Sequence, residues 1–231
     1  MKRQFVIIGG TRGIGLALVQ ELLSTENDVI VYARNRDGLP EEVTHIAFDA
    51  TTDEFPKDTL PEEIHGLAYC PGSITLKPFR SLKLATFEED FNINVLGAVK
   101  SIKAVLTKLK KSKAGSIVLF STVAVAQGMP FHASIATAKA AVEGLTRSLA
   151  AELAPVVRVN CIAPSLTDTD LAGNLLSTPE KREASDQRHP LRRTGTPEDI
   201  AKMAAFLLSD NSSWISGQII GVDGGMSALR V

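Results

Sequence analysis

Three glycines in the pattern Gly9-x-x-x-Gly13-x-Gly15 directly follow the apolar run at 5–8 and precede a stretch of helical spacing at 16–23. Glycines in a strand–turn–helix setting permit positive φ and let the backbone approach a bound pyrophosphate, while the helix start offers N–H donors and positive potential. No Gly-Lys-Ser/Thr follows, so the turn is not a nucleotide-triphosphate loop. A glycine turn of this kind also serves as a plain tight turn. The second candidate cluster is cationic. A dinucleotide site for NAD places an acid at the end of its second strand, whereas one for NADP omits the acid and uses cations. Here the strand end is Ala33, followed by Arg34, with Arg12 in the glycine turn and Arg36 close by. Two guanidiniums can bracket a 2′-phosphate, so the expected cofactor is NADP(H). The histidines at 45, 65 and 189 have no metal-ligand spacing, and no Ser/His/Asp hydrolase elbow is present.

These residues need strand ends and helix starts to hold them. Apolar runs at 5–8, 29–33, 45–48, 66–70, 116–120, 156–162 and 215–222 read as strands. Runs that are apolar throughout suit strands buried on both faces, hence a parallel sheet. Helical spacing covers 16–23, 88–109 and 133–153, and Thr196-Pro197-Glu198-Asp199 starts another helix reaching about 209. Strands alternating with helices predict a doubly wound α/β domain over 1–231. A lid-like insertion at about 170–193 centres on the polar stretch 174–193. Only 14 residues separate Arg34 from Asp49, and 16 separate Asp49 from Gly66. A crossover helix with its loops is hard to fit into either gap, so loops or single turns and an open adenine pocket are expected there.

Composition excludes other classes. The 231 residues carry 25 Lys+Arg against 26 Asp+Glu, a net charge of −1, and 44% are hydrophobic. That is too apolar for a disordered chain and too neutral for nucleic acid or an acidic membrane surface. No apolar run approaches the ~20 residues of a membrane helix, and the first run is too short for a signal peptide. Cys70 and Cys161 sit in apolar runs and read as small buried hydrophobes in a reducing compartment, which points to the cytoplasm.

The glycine spacing resembles that of the short-chain dehydrogenase/reductase family, and further segments resemble it in the same order. They are Asn94-Val95-Leu96-Gly97, Ser121-Thr122-Val123, Asn160-Cys161-Ile162-Ala163-Pro164, and Arg193-x-Gly195-x-Pro197-Glu198-Asp199 with Val222-Asp223-Gly224-Gly225. The resemblance implies a Rossmann fold with a predominantly parallel sheet flanked by helices on both faces. It also implies hydride transfer between nicotinamide and a small carbonyl or alcohol. Gly9, Thr11, Arg12, Gly13, Ile14 and Gly15 would then hold the pyrophosphate, and Arg34, Asn35, Asp49 and Ala50 the adenosine. Gly72, Lys139, Pro164, Thr167 and Thr169 would meet the nicotinamide end. Asn94 would support a water relay, Thr122 would stand for the family's serine, and Lys139 would bind the ribose. The resemblance implies a homotetramer or homodimer, with the helices at 88–109 and 133–153 packed across a two-fold.

One departure outweighs the matches. The family's tyrosine, four residues before the lysine, is Ile135 here, and isoleucine has no proton to give. Losing a positioned general acid typically costs ~10²–10⁴ in rate. Three readings follow: an oxidoreductase drawing its proton from solvent or His132, a dinucleotide-binding protein or silent subunit without catalysis, and an enoyl-type reductase. The last would use His132, seven residues before Lys139, a spacing at which divergent enoyl reductases of the family place their tyrosine. The plainer and favoured reading of His132 is a helix-entry surface or cap residue. Ser165 replaces the family's usual glycine, and Tyr69-Cys70-Pro71-Gly72 keeps only the final glycine of the fourth-strand turn.

Overall fold

The computed structural model describes residues 2–230. Its strands are β1 (Gln4–Ile8), β2 (Asp28–Ala33), β3 (Thr44–Ala47), β4 (Gly66–Tyr69), β5 (Gly115–Phe120), β6 (Val157–Pro164) and β7 (Ile219–Val222). They form one parallel sheet in the order β3-β2-β1-β4-β5-β6-β7. The chain runs outward from β1 to β3 and then restarts at β4 on the other side of β1. That reversal opens a crevice beyond the carboxyl ends of β1 and β4, where sheets of this topology bind ligands.

Successive residues of each strand go to opposite cores. Phe5 and Ile7 join one cluster with α1 (Gly13–Leu23) and α7 (Pro197–Leu208). Val6 and Ile8 join the other with α3 (Gly97–Lys111) and α5 (Ala133–Leu153). The helices α2 (Leu84–Phe91), α4 (Ala124–Gln127) and α6 (Pro179–Arg188) complete the set. The doubly wound α/β fold expected from alternating apolar runs is therefore present.

The two short connections contain no α-helix: no helix lies between β2 and β3, and a single 3₁₀ turn at Lys57–Thr59 precedes β4. Aromatic side chains cover the sheet there. Tyr32 stacks on Phe55 at 4.8 Å between ring centroids, and Phe48 meets Phe55 at 5.0 Å. Burial raises the Tyr32 phenol above its ordinary pKa.

Three boundaries differ from the sequence expectation. The stretch 88–109 is not one regular helix, because a π-helical segment, Asn92–Leu96, interrupts it. Asn94 Nδ2 donates to the Asp90 carbonyl at 2.8 Å, competing for the acceptor that Asn94's own N–H would use in an α-helix. The last strand begins at Ile219 rather than 215, since Gly217 turns with φ +75° and the Ile215 carbonyl accepts from Asn160 Nδ2. The polar stretch 174–193 holds α6, which Thr178 caps through the Lys181 N–H. Helix α7 starts as expected, with a reciprocal Thr196/Asp199 capping box.

Candidate active site

The glycine turn is built by close approach. Gly9 has φ +76° and donates its N–H to the Tyr32 carbonyl at 2.9 Å. A Cβ on Gly15 would lie 2.2 Å from the Gly9 oxygen, so no other residue fits. Helix α1 opens after Arg12, whose side chain makes no capping hydrogen bond, leaving the first N–H groups facing the crevice.

That crevice is a cleft of about 590 Å³. It contains Gly9, Thr11, Arg12, Gly13, Ile14 and Gly15 at the turn, Arg34 and Asn35 beyond β2, and Asp49 and Ala50 beyond β3. Gly72 and Thr169 border it on the other side. Among the described residues, neither Arg12 nor Arg34 donates a side-chain hydrogen bond to protein. Arg36 does not belong with them. Its guanidinium donates to the carbonyls of Pro40, Glu41 and Val43 at 3.0–3.1 Å, which corrects the expected three-arginine cluster. Asp49 Oδ1 accepts from the Thr51 N–H at 2.8 Å and hydroxyl at 2.5 Å. Those bonds hold its carboxyl below the usual carboxylate range.

At the other end, the loop after β4 brings Gly72 between two buried polar groups. A Cβ on Gly72 would lie 3.3 Å from Asn94 Oδ1 and 3.5 Å from Lys139 Nζ. Lys139 is 8% exposed and donates to the Phe120 carbonyl at 2.8 Å. Burial pulls its ammonium down to about 8. Asn94 is 1% exposed, and its Oδ1 is a buried atom without a hydrogen-bond partner. Such an atom is costly unless a ligand or water supplies a donor. An open helix start and two free guanidiniums border one crevice, and an unpartnered amide oxygen and an ammonium lie behind its wall at Gly72; together they fit a nicotinamide dinucleotide.

Comparison with known proteins decides the family. A family model described as enoyl-(acyl carrier protein) reductase matches residues 9–227. The 3-oxoacyl-[acyl-carrier-protein] reductase MabA of Mycobacterium tuberculosis is 32% identical over 98% of this chain and 93% of its own length. An oxidoreductase of the short-chain dehydrogenase/reductase family from Burkholderia thailandensis superposes with a TM-score of 0.91 at 28% identity, covering 100% of this chain and 94% of that one. This chain belongs to the short-chain dehydrogenase/reductase family. A structure of ElxO with NADP bound superposes with a TM-score of 0.90 at 25% identity, covering 99% of this chain and 100% of that one. The family consists of oxidoreductases that bind nicotinamide cofactors.

In this short-chain dehydrogenase/reductase, Thr122 follows the end of β5, and its Oγ1 accepts from the Ala124 N–H at 3.3 Å. Ile135 is 5% exposed and lies on the first turns of α5 with Ser134. His132 is the residue before α5, and its Nδ1 lies 2.8 Å from the Pro130 carbonyl, which can only accept. The ring is thus tied to the helix entry. The loop after Pro164 reaches back over the glycine turn: a Cβ on Gly13 would lie 3.2 Å from Thr169 Cγ2. Thr167 pairs with Gly195, and Asp168 takes a 2.6 Å ion pair from Arg182 of α6, so two elements anchor that loop.

Sequence reasoning missed the groups behind Asn94. Asp90 is buried, and its carboxylate accepts from Ser73 Oγ at 2.5 Å and Ser134 Oγ at 2.6 Å. The single Ser73 hydroxyl proton is engaged in the hydrogen bond to Asp90, so the Ser73 oxygen must accept from Asn94 Nδ2, at 3.0 Å. This fixes the Asn94 amide with its oxygen toward Lys139. The available signal was an acid one helical turn before Asn94, on the same face. Tyr69 is a core residue, as expected: its hydroxyl donates to the Ile93 carbonyl at 2.6 Å and burial raises its pKa. Burial also pushes the Cys70 and Cys161 thiols up to about 12, so neither offers a thiolate near neutrality. Among the described residues no cluster of His, Cys, Asp or Glu could hold a metal, and no helix is long and apolar enough to cross a membrane.

Proposed function

We propose that this enzyme uses NADP(H) and transfers hydride between the nicotinamide and a small carbonyl or alcohol substrate. The observation that carries the cofactor choice is the pair of free guanidiniums, Arg12 and Arg34, bordering the cleft where Ala33 leaves no acid to hold a ribose diol. When bound, NADP(H) supplies or accepts the hydride. The glycine turn and the α1 start hold the pyrophosphate, and Asn35, Asp49 and Ala50 surround the adenosine. Lys139 hydrogen-bonds the nicotinamide ribose, and Pro164, Thr167 and Thr169 meet the carboxamide. Thr122 polarises the substrate oxygen, and Asn94 holds a water beside Lys139. Parallel titration with NADPH and NADH tests the cofactor choice.

A second reading has its own observation. Ile135 fills the phenol's place with a buried side chain that carries no proton. That side chain favours a dinucleotide-binding protein or silent subunit as the second reading, and an enoyl-type reductase with His132 as acid is the third.

The chain reads as one domain over 1–231, with the insertion at about 170–193 as a substrate lid. An apolar groove lined by Phe87, Phe91, Leu96 and Ala138 lies between α2 and α5. It supports packing of α2–α3 and α5 against a second copy, and light scattering in solution checks that dimer or tetramer. The balanced charge suits a cytoplasmic protein with a small-molecule substrate and no nucleic-acid or membrane partner.

A further inference from the structure

A buried histidine outside the family machinery lies next to the catalytic strand ends. His189, in the turn after α6, is 3% exposed. Its Nδ1 lies 2.7 Å from the Ser185 carbonyl, and its Nε2 lies 2.8 Å from Ser165 Oγ. A carbonyl can only accept, so Nδ1 carries a proton. Nε2 therefore accepts from the Ser165 hydroxyl when the ring is neutral, and donates to it when the ring is charged. A serine whose partner can take or give a proton in this way is a relay in form, with the Ser185 carbonyl fixing the ring.

The pair is well placed. The Val123 N–H donates to the Pro164 carbonyl at 3.1 Å, tying the ends of β5 and β6 together. Thr122 precedes the donor of that bond and Ser165 follows the acceptor. The two residues thus border the same strand-end junction, Thr122 on one side and Ser165 on the other. Ser165 is half-buried, so it has an open side, whereas His189 does not.

The groups around the ring are few. From α6, the ionisable neighbour is Asp186, whose carboxyl is held low chiefly by hydrogen bonds from Thr194. From the C-terminal segment, the uncharged Gly224 packs against the ring: a Cβ on it would lie 3.7 Å from His189 Cβ and Cδ2. From β6 the contact is Ser165 itself. On its own turn, Arg192 directs its guanidinium to Gln187.

We propose that Ser165 and His189 relay the substrate proton in place of the absent phenol, with Ser165 touching the substrate oxygen and His189 acting through it. The proposal rests on the oxidoreductase reading above. In reduction, the carbonyl carbon accepts a hydride with its electron pair from NADPH and the C=O π pair moves to oxygen. Oxygen then takes the Ser165 proton as Ser165 takes one from His189 Nε2. The products are the alcohol, NADP⁺ and a neutral His189, which regains its proton from water through the half-buried Ser165 hydroxyl once the product has left. Oxidation runs the same transfers backwards and leaves the proton on His189.

The test uses the full chain with NADPH and two probes, cyclohexanone and acetoacetyl-N-acetylcysteamine. The variants are His189→Gln, Ser165→Gly and Ser165→Thr. Loss of a relayed acid predicts a kcat lowered by ~10²-fold in the first two. KM and NADPH affinity should stay within about twofold, and Ser165→Thr should keep most of the rate. The pH profile of the wild type should carry a titration that His189→Gln lacks. Unchanged kcat and pH profile in His189→Gln overturn the relay, as does a fall in kcat matched by an equal fall in NADPH affinity. Nitrogen-15 NMR of the His189 ring in the wild type stands apart from turnover. A neutral tautomer protonated at Nδ1 supports the relay, and one protonated at Nε2 overturns it. Failure of the wild type to bind NADPH counts against the proposed function itself, a result distinct from any of these.

Discussion

Asn94 Oδ1 and Lys139 Nζ face one point above the Cα of Gly72, 3.3 Å and 3.5 Å from where a Cβ would stand. One is an acceptor with no partner and the other an ammonium whose protein contact is the Phe120 carbonyl. The space between them suits a hydroxyl or a water, which can donate to the first and accept from the second.

Gly72→Ala fills that space. The φ of Gly72 is not in the left-handed region, so the methyl costs little backbone strain. Displacing a hydrogen-bonded group beside a charged one is worth about 1.5–3 kcal/mol. NADPH binding should therefore weaken by roughly 10- to 100-fold, read by fluorescence titration, while thermal stability changes little.

The ammonium of Lys139 titrates at about 8, below its ordinary 10.5, because burial disfavours the charge. Between those values the unfolded chain holds a proton that the folded chain has lost. Stability of the free protein should thus rise with pH from about 8 to 10.5. Lys139→Met should remove that slope in urea unfolding. NADPH-dependent reduction should fall as pH rises through about 8 in the wild type, as the cation is lost.

Asp90→Ala removes the carboxylate that accepts from the half-buried Ser73 hydroxyl and the buried Ser134 hydroxyl, leaving Ser134 only the Thr86 carbonyl at 3.2 Å. Each such loss costs about 1–3 kcal/mol. At roughly 2–4 °C per kcal/mol for a chain of this size, the melting temperature should drop by about 4 °C or more. The Asn94 amide also loses the constraint on its orientation, so kcat should fall along with stability. Asp90→Asn should recover part of the stability.

Much of this was legible in the sequence. Runs apolar on both faces identify a parallel sheet, and the two short connections around Asp49 correctly exclude crossover helices. The capping box at Thr196 fixes where α7 begins. Other features were not legible, for physical reasons. The π segment at Asn94 arises from one side chain taking a carbonyl from the backbone, which apolar spacing does not register. Arg36 carries the same charge as Arg34, and only folding shows that carbonyls at 40, 41 and 43 occupy it. The Asp90 and His189 clusters join residues 17 to 44 positions apart in sequence, as with Ser73, Ser134 and Ser165, and no local period connects them.

Ile135→Tyr separates the catalytic readings. Restoring a phenol one turn before Lys139 should raise the turnover of ketones by ~10²-fold or more if no other acid serves the site. A rate that stays within a few fold is the outcome expected of the Ser165–His189 relay. His132→Ala then checks the remaining histidine: if reduction of a conjugated enoyl thioester survives, His132 is confined to the helix entry that its Pro130 contact indicates.

Selection of a 2′-phosphate by Arg12 and Arg34 is tested directly by isothermal titration of the wild-type protein with NADPH and NADH. Two charge-assisted contacts of about 1.5 kcal/mol or more each predict a preference for NADPH of at least ~10²-fold. Equal affinities, or tighter binding of NADH, would contradict it.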